Sequence, residues 1–374
     1  MNTQSSPSKI RRAVLRKSAD LYVLITLLSF AGSVSFTRLF LQLTGYPQIG
    51  GKSELHIAHV LWGGLLLFIA ALIPVLFANR WAFTLDAVLA GVGVGLFIDE
   101  VGKFITKTND YFYPTAAPII YAFFLLTVLL YLQVRRRRSR DPRAELYSLL
   151  SDFEEVLDRD LSGPERDDIL RRLNMVEAQP DLDENLAALA QSLRRMVQST
   201  GLELAPHLPG FFEKVRASAL GLEKRWVTRA RLRAGLVGAA FAMGAWSLLY
   251  PSLVLRGALL SNSIDSVMAE MVAHHLLRSE NSLRWFELRL SLEISVGVIL
   301  IAAAVLLLTR RDRRGVDLGS LGLLLSLTVA NIFVFYFDQF STILTSLLQF
   351  ALLLGFIYYR RTFLHTTPIP GGVL

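Results

Sequence analysis

The chain has 374 residues, of which 53% are apolar and only 19% charged, with no cysteine and a formal net charge of +8. Mean hydropathy is +0.44, displaced from soluble globular domains towards membrane composition. The lack of cysteine excludes structural disulfides and thiolate metal sites. The basic residues gather in short runs beside apolar segments, a distribution that argues against nucleic acid as a partner.

Eight stretches are long and apolar enough to span roughly 30 Å of hydrocarbon as helices. In chain order they cover 21–43, 55–78, 81–106, 114–134, 234–255, 290–308, 318–340 and 342–359. The first carries Ser33, Ser35, Thr37 and Arg38, and the sixth carries Glu293. The last two are so close that they must form a tight hairpin. A cleaved signal peptide with 21–30 as its apolar core is the competing reading of the first stretch. Arg256 at the outer end of the fifth stretch matches Arg38 near the outer end of the first, which favours an uncleaved span. The fold class expected is all-α: a polytopic helical membrane protein of about eight transmembrane helices, in two four-helix halves with a cytoplasmic helical insert. The domains expected are 1–134, 135–228 and 229–374.

Orientation follows from the positive-inside rule. With a cytoplasmic N-terminus, the runs Arg135–Arg138, Lys224–Arg233 and Arg310–Arg314 and the pair Arg360–Arg361 all fall inside. Lys103 and Lys107 fall outside as a minor exception. The expected location is the inner (plasma) membrane, with both termini cytoplasmic and the lipid bilayer as the first partner.

The insert is acidic between Ala144 and Glu223, with sixteen Asp and Glu against eight Lys and Arg, while its two junctions are basic. Leu146, Leu149, Leu150, Phe153, Val156 and Leu157 recur at helical spacing. Ser162-Gly-Pro-Glu165 reads as a capping box with proline in the first turn, opening a second helix. Asp181 to Glu184 repeats that start signal before Leu186, and a last helix is expected from Phe211. About four short helices would make a small bundle. No phosphate loop, kinase signature or metal-spaced histidine occurs in it, so a packing module, or a dock for a cytoplasmic protein partner through 144–223, is the expectation.

Ionisable residues within a bilayer need a partner or a water-filled cavity. Asp99 lies nineteen residues beyond Arg80, about 28 Å along its helix, and Arg38 lies twenty-one beyond Lys17, about 31 Å. Both therefore reach the outer boundary. His56 and His59 begin the second span from the same side, with Glu54 just before them and Asp110 in the next outer loop. Arg38, Glu54, His56, His59, Asp99, Glu100 and Asp110 thus form a candidate polar cluster. His56 and His59 share a helix face at i and i+3. With Asp99 they would suit zinc or another divalent metal, and a carboxylate could act as base. The H-E-x-x-H spacing of metalloproteases is absent. The simpler reading pairs Asp99 with Arg38 and Glu100 with Lys103, and leaves the histidines at the interface. His274 and His275 fall on an amphipathic stretch, 264–277, expected to lie on the outer surface. Arg289 and Glu293 at i, i+4 can satisfy each other.

The halves read as a parallel duplication. Leu96-Phe97-Ile98-Asp99-Glu100-Val101 in the third span matches Phe335-Tyr336-Phe337-Asp338-Gln339-Phe340 in the seventh, with Arg256 and Asp338 as the second-half counterparts of Arg38 and Asp99. Gly91-Val-Gly93-Val-Gly95 marks one side of the third span as small, for close helix contact.

His56-Ile-Ala-His59, followed by Gly91-Val-Gly-Val-Gly-Leu-Phe-Ile-Asp99-Glu100-Val-Gly-Lys103-Phe and Asn109-Asp110-Tyr111-Phe112, resembles a pattern of uncharacterised bacterial multi-pass membrane proteins. The resemblance covers the first four spans. It implies a bacterial origin and a first half that acts as a unit, and it implies no substrate. Three classes of function stay open. One is handling of a solute or ion through the outer polar cluster, with Asp99 and Asp338 as paired binding groups. The second is a metal-dependent membrane hydrolase using His56, His59, Asp99 and Glu100. The third is a structural or sensory scaffold. Against transport, no helix break is legible at mid-membrane.

Overall fold

The computed structural model describes residues 13–45, 58–108, 110–111, 113–136, 141–180, 182–199, 204–205, 228–260 and 280–364. Among them there is no strand, and eight helices are long and apolar enough to cross a membrane. The first four are Ala19–Thr44, His59–Leu76, Arg80–Asp99 and Ala116–Arg136. The second four are Arg229–Val254, Leu283–Leu308, Asp312–Asp338 and Ile343–Leu364. Large side chains such as Leu43, Val75 and Leu126 stand exposed on them, as hydrocarbon-facing positions of a membrane helix do. The expected all-α, eight-span architecture is therefore the one observed.

Two spans differ from expectation in a way that matters for the site. The third ends at Asp99 rather than continuing to 106. Glu100 leaves helical backbone at φ −90° and ψ 9°, and a short helix, Val101–Ile105, follows. The seventh is interrupted by a π-helical turn at Ser326–Ala330 and resumes as Asn331–Asp338. No glycine or proline marks that turn in the sequence, so it was not legible there. Such turns recur at functional positions because one extra residue per turn re-aims the side chains around it.

The residues cluster into two compact units that do not follow the halves expected from sequence order. One unit comprises Met1–Val34, Leu61–Leu96 and Leu126–Lys214. Its membrane part is held by the glycines of the third span, which face two neighbours rather than marking the one side expected. Gly91 and Gly95 meet the first span and Gly93 the second, because residues two apart lie on different faces of a helix. A Cβ on Gly91 would lie 2.4 Å from the Thr26 carbonyl oxygen, and one on Gly95 would lie 2.7 Å from Ser33 Cβ. A Cβ on Gly93 would lie 2.9 Å from the Gly63 carbonyl oxygen of the second span. Backbone contact this close is what small residues permit in a membrane, where apolar side chains gain nothing by leaving lipid.

The same unit contains the insert, seen as helices Pro142–Leu157, Gly163–Glu177 and Glu184–Gln198. The Glu165 carboxylate accepts the Ser162 backbone N–H at 2.9 Å, as the capping box requires. Asp183 caps the third helix through the backbone N–H groups of Asn185 and Leu186. The helix expected from Phe211 lies outside the described residues. Leu146, Leu149, Phe153 and Val156 enter the core with Leu173 and Val197, whereas Leu150 and Leu157 face outwards. The stripe is thus narrower than the sequence suggested.

Asp152, only 2% exposed, anchors the insert. It accepts from Lys17, before the first span, and from Arg80, which opens the third. Arg172 of the second insert helix donates to its other oxygen at 2.6 Å, and to Glu145 at 2.5 Å. Arg80 also meets Glu155. Asp152→Asn removes the buried charge that half-exposed Lys17 and Arg80 and the more enclosed Arg172 share, at a cost of about 1 kcal/mol. Amide exchange in Pro142–Leu157 should accelerate accordingly. Unchanged exchange would mean the network does not hold the helix.

The other unit comprises Ser35–Val60, Phe97–Leu125 and Val215–Leu374. Its apolar core runs through Leu236, Leu300, Leu307, Leu323 and Phe356. At one end Asp312, which opens the seventh span, accepts from Arg229 at 2.9 Å and from the Tyr359 hydroxyl at 2.7 Å. That contact ties the fifth, seventh and eighth spans together. The candidate site lies within this unit.

Candidate functional site

Because the helix stops at Asp99, its last carbonyls lose their intrahelical donors and must be satisfied otherwise. Arg38 of the first span does this, donating from Nη2 to the Asp99 carbonyl oxygen at 2.9 Å and from Nε to Asp99 Oδ1 at 2.5 Å. Arg38 is 5% exposed and Asp99 is fully buried. The second carboxylate oxygen, Oδ2, accepts the Tyr111 hydroxyl at 2.6 Å and lies 3.1 Å from His59 Nε2. His59 opens the second span, and its other nitrogen, Nδ1, lies 3.1 Å from Glu100 Oε1. Lys103 Nζ donates to that same oxygen at 3.0 Å. Each ring nitrogen of His59 therefore faces a carboxylate oxygen.

Aromatic faces close the cluster. The Arg38 guanidinium carbon lies 4.3 Å from the Tyr111 ring centroid and 3.8 Å from that of Phe340, within cation–π range. Phe340 sits in the 3-10 turn Gln339–Thr342 between the last two spans, where Gln339 holds a positive φ of 49°, a strained value for a residue with a side chain. Burial first, and the Asp99 charge next, push the Tyr111 hydroxyl far above the ordinary phenol range, so it stays a donor. Gly102 lets the following loop close in, because a Cβ there would lie 2.7 Å from the Asp110 carbonyl oxygen.

The structure thus brings together Arg38, His59, Asp99 and Glu100 of the expected cluster. Asp110 stands in the loop that follows, where its backbone N–H donates to Thr106 Oγ1 at 2.8 Å. Glu54 and His56 lie outside the described residues, as do His274 and His275. Among the described residues no group of three or more His, Asp and Glu side chains is arranged to hold a metal ion. His59 turns both nitrogens to carboxylates, so it would have to give one up to ligate zinc. Both pairs of the simpler reading, Arg38 with Asp99 and Glu100 with Lys103, are present. Asp99 meets Arg38, Tyr111 and His59, all of the same cluster, which makes this a lock between helix ends rather than an open site.

The open site lies elsewhere in the same unit. A cavity of about 300 Å³ is lined by the fifth to eighth spans. Arg289 of the sixth span, 3% exposed, grips Asp338 with both terminal nitrogens, at 2.8 and 2.5 Å. Glu293, one turn along the same helix, places Oε1 3.5 Å from Arg289 Nε. The expected i, i+4 pair therefore exists, but its distance makes it secondary to the two-pronged grip on Asp338. Arg289 Nε and Glu293 Oε2 are buried with no hydrogen-bond partner among the described residues. The guanidinium carbon lies 4.9 Å from the ring centroid of Tyr250. Arg256, expected as the second-half counterpart of Arg38, is exposed. Among the described residues Asp338 is gripped by a base of the sixth span, not of the fifth.

Deeper in the cavity an amide cluster follows the π turn. Asn331 Nδ2 donates to Gln349 Oε1 at 2.8 Å and to Ser346 Oγ at 3.0 Å. The Tyr121 hydroxyl of the fourth span donates to the Leu327 carbonyl inside the turn at 2.5 Å, occupying a backbone acceptor displaced there from regular α-helical pairing. Asn331 lies seven residues before Asp338, about 10 Å deeper. These residues escaped the sequence reading, although a signal existed: Asn331 and Gln349 are amides set in otherwise apolar stretches. No family model matches this chain, and neither does any curated protein or solved structure.

Proposed function

We propose that the chain handles a small polar solute or ion within the membrane, and that the second-half cavity is where it does so. One observation carries this reading. Arg289, Glu293 and Asp338, with Asn331 and Gln349, surround a space of about 300 Å³ in helices otherwise apolar enough to sit in hydrocarbon. Charged groups at that depth are expensive and accompany ion or substrate paths. The π turn beside the cavity supports the reading, since it supplies the mid-span irregularity that binding sites in transport proteins use. With the orientation expected from the basic runs, the Asp338 rim faces the non-cytoplasmic side. The Arg38–Asp99 lock then fastens helix ends at that level and binds no solute itself.

Thr345 lines the cavity, and Thr345→Trp fills it without touching the charged residues. Reconstituted wild-type protein should show flux of protons, alkali cations or small organic cations, and the filled variant should lose most of it while keeping its thermal midpoint. Wild-type vesicles no leakier than empty ones for every solute tried would overturn the proposal. The metal-dependent hydrolase is tested on the same preparation: stoichiometric zinc in the wild type, lost in His59→Ala, would favour it instead. The scaffold reading is favoured by the insert's anchorage on Lys17 and Arg80, and predicts that deleting 144–223 abolishes partner capture.

A further inference from the structure

Among the described residues that line the cavity, two carboxylates, Asp338 and Glu293, face one cation, Arg289. Arg289 supplies a single positive charge, and both its terminal nitrogens are committed to Asp338. Glu293 is left with a 3.5 Å contact to Nε through one oxygen and a buried, unpartnered second oxygen. An ionised carboxylate in that condition, at membrane depth, would be strongly disfavoured. The elements packed around it offer no second cation among the described lining residues. The fifth span contributes Tyr250, and Ser247, whose hydroxyl donates to the Glu293 backbone carbonyl at 2.9 Å. The seventh contributes Asp338 and Asn331, and the eighth only uncharged groups such as Ser346 and Gln349.

We infer that Glu293 is a cation–proton exchange site, neutral by carrying a proton when the cavity is empty and by pairing with one monovalent cation when it is filled. In the exchange the Glu293 O–H bond breaks, the proton leaves to solution, and the cation takes its place at the carboxylate. Arg289, Asp338 and the protonated Glu293 sum to zero charge; so do Arg289, Asp338, ionised Glu293 and the bound cation. The cluster keeps one charge state throughout, which is the economical arrangement in a medium of low dielectric. This inference rests on the cavity reading above and names its ligand class. The volume admits either an alkali ion or a small organic ammonium, and the shared chemistry is a single positive charge without a second.

Infrared difference spectroscopy on the full-length protein in lipid nanodiscs tests it, with sodium, potassium, guanidinium and tetramethylammonium chlorides as probes and a pH dye to count protons. A protonated-carboxyl stretch should be present without small cations. It should vanish on adding at least one of them, with one proton released per cation bound, and it should be missing in Glu293→Gln. Asp338→Asn should also abolish the band, because the freed Arg289 then pairs with an ionised Glu293 and no proton remains to be displaced. Response to alkali ions alone or to the organic cations alone assigns the source. A band that survives Glu293→Gln, or that no probe displaces, overturns the inference. If wild-type flux that Thr345→Trp abolishes is nonetheless found, the cavity reading stands without it. Proton release without flux would keep the site and remove transport.

Discussion

Arg38→Ala should be among the most damaging single changes in the chain, lowering stability by about 3–5 kcal/mol. The magnitude follows from what stays behind. Asp99 is fully buried, and without the guanidinium its carboxylate keeps only Tyr111 and His59, while its backbone carbonyl loses the Nη2 donor. Phe340 would lose its cation as well. In detergent, the tryptophan-fluorescence midpoint should fall by roughly 5–10 °C. Adding Asp99→Asn should recover part of the loss, because a neutral amide needs no counter-charge yet still accepts from Tyr111. Coupling of this sign marks groups in direct contact. If the double variant is destabilised by the sum of the two singles, the pair is not a buried ion pair and the lock does not exist.

The second large effect separates two glycines that look alike in sequence. A Cβ on Gly91 would come within 2.4 Å of the Thr26 carbonyl oxygen and 2.6 Å of Ser29 Cβ, whereas one on Gly64 meets nothing within 4 Å. Gly91→Ala must therefore push the first and third spans apart, and overpacking of this kind costs about 1–3 kcal/mol. Backbone atoms cannot rotate out of the way, which places the effect at the upper end. Gly64→Ala should be neutral, or stabilising by up to about 1 kcal/mol through helix propensity alone. Midpoints measured on the two variants decide the matter, and equal values would show that the close crossing at Gly91 is absent.

Much of the architecture is legible without coordinates because it depends on local quantities. Hydrocarbon thickness sets a minimum apolar length, so all eight spans could be read from composition in a window. The capping box at Ser162 and Glu165 depends on residues three apart, and it formed as written. The third-span glycines were recognisable as close-contact positions, but not as one side, since Gly93 faces the second span and Gly91 and Gly95 the first. Depth, too, follows from rise per residue, so Arg38, His59, Asp99 and Glu100 could be placed at one level.

What depth does not supply is azimuth and partner choice. The simpler reading paired Arg38 with Asp99, as observed, because helical rise puts opposite charges at one level. The same reasoning proposed Arg256 as the second-half equivalent, where packing turned it outwards and gave Asp338 to Arg289. The π turn at Ser326–Ala330 has no local marker at all: it exists because the seventh span is held among its neighbours and Tyr121 takes up the Leu327 carbonyl. Asn331, Gln349 and Glu293 came to line one cavity only through that packing. The sequence by itself determined that this is a helical membrane protein, how many times it can cross, and which end carries Asp99, since these follow from length, hydropathy and helical rise. Tertiary structure alone decided which of the described charges meet each other, because that depends on the rotation of each helix about its axis.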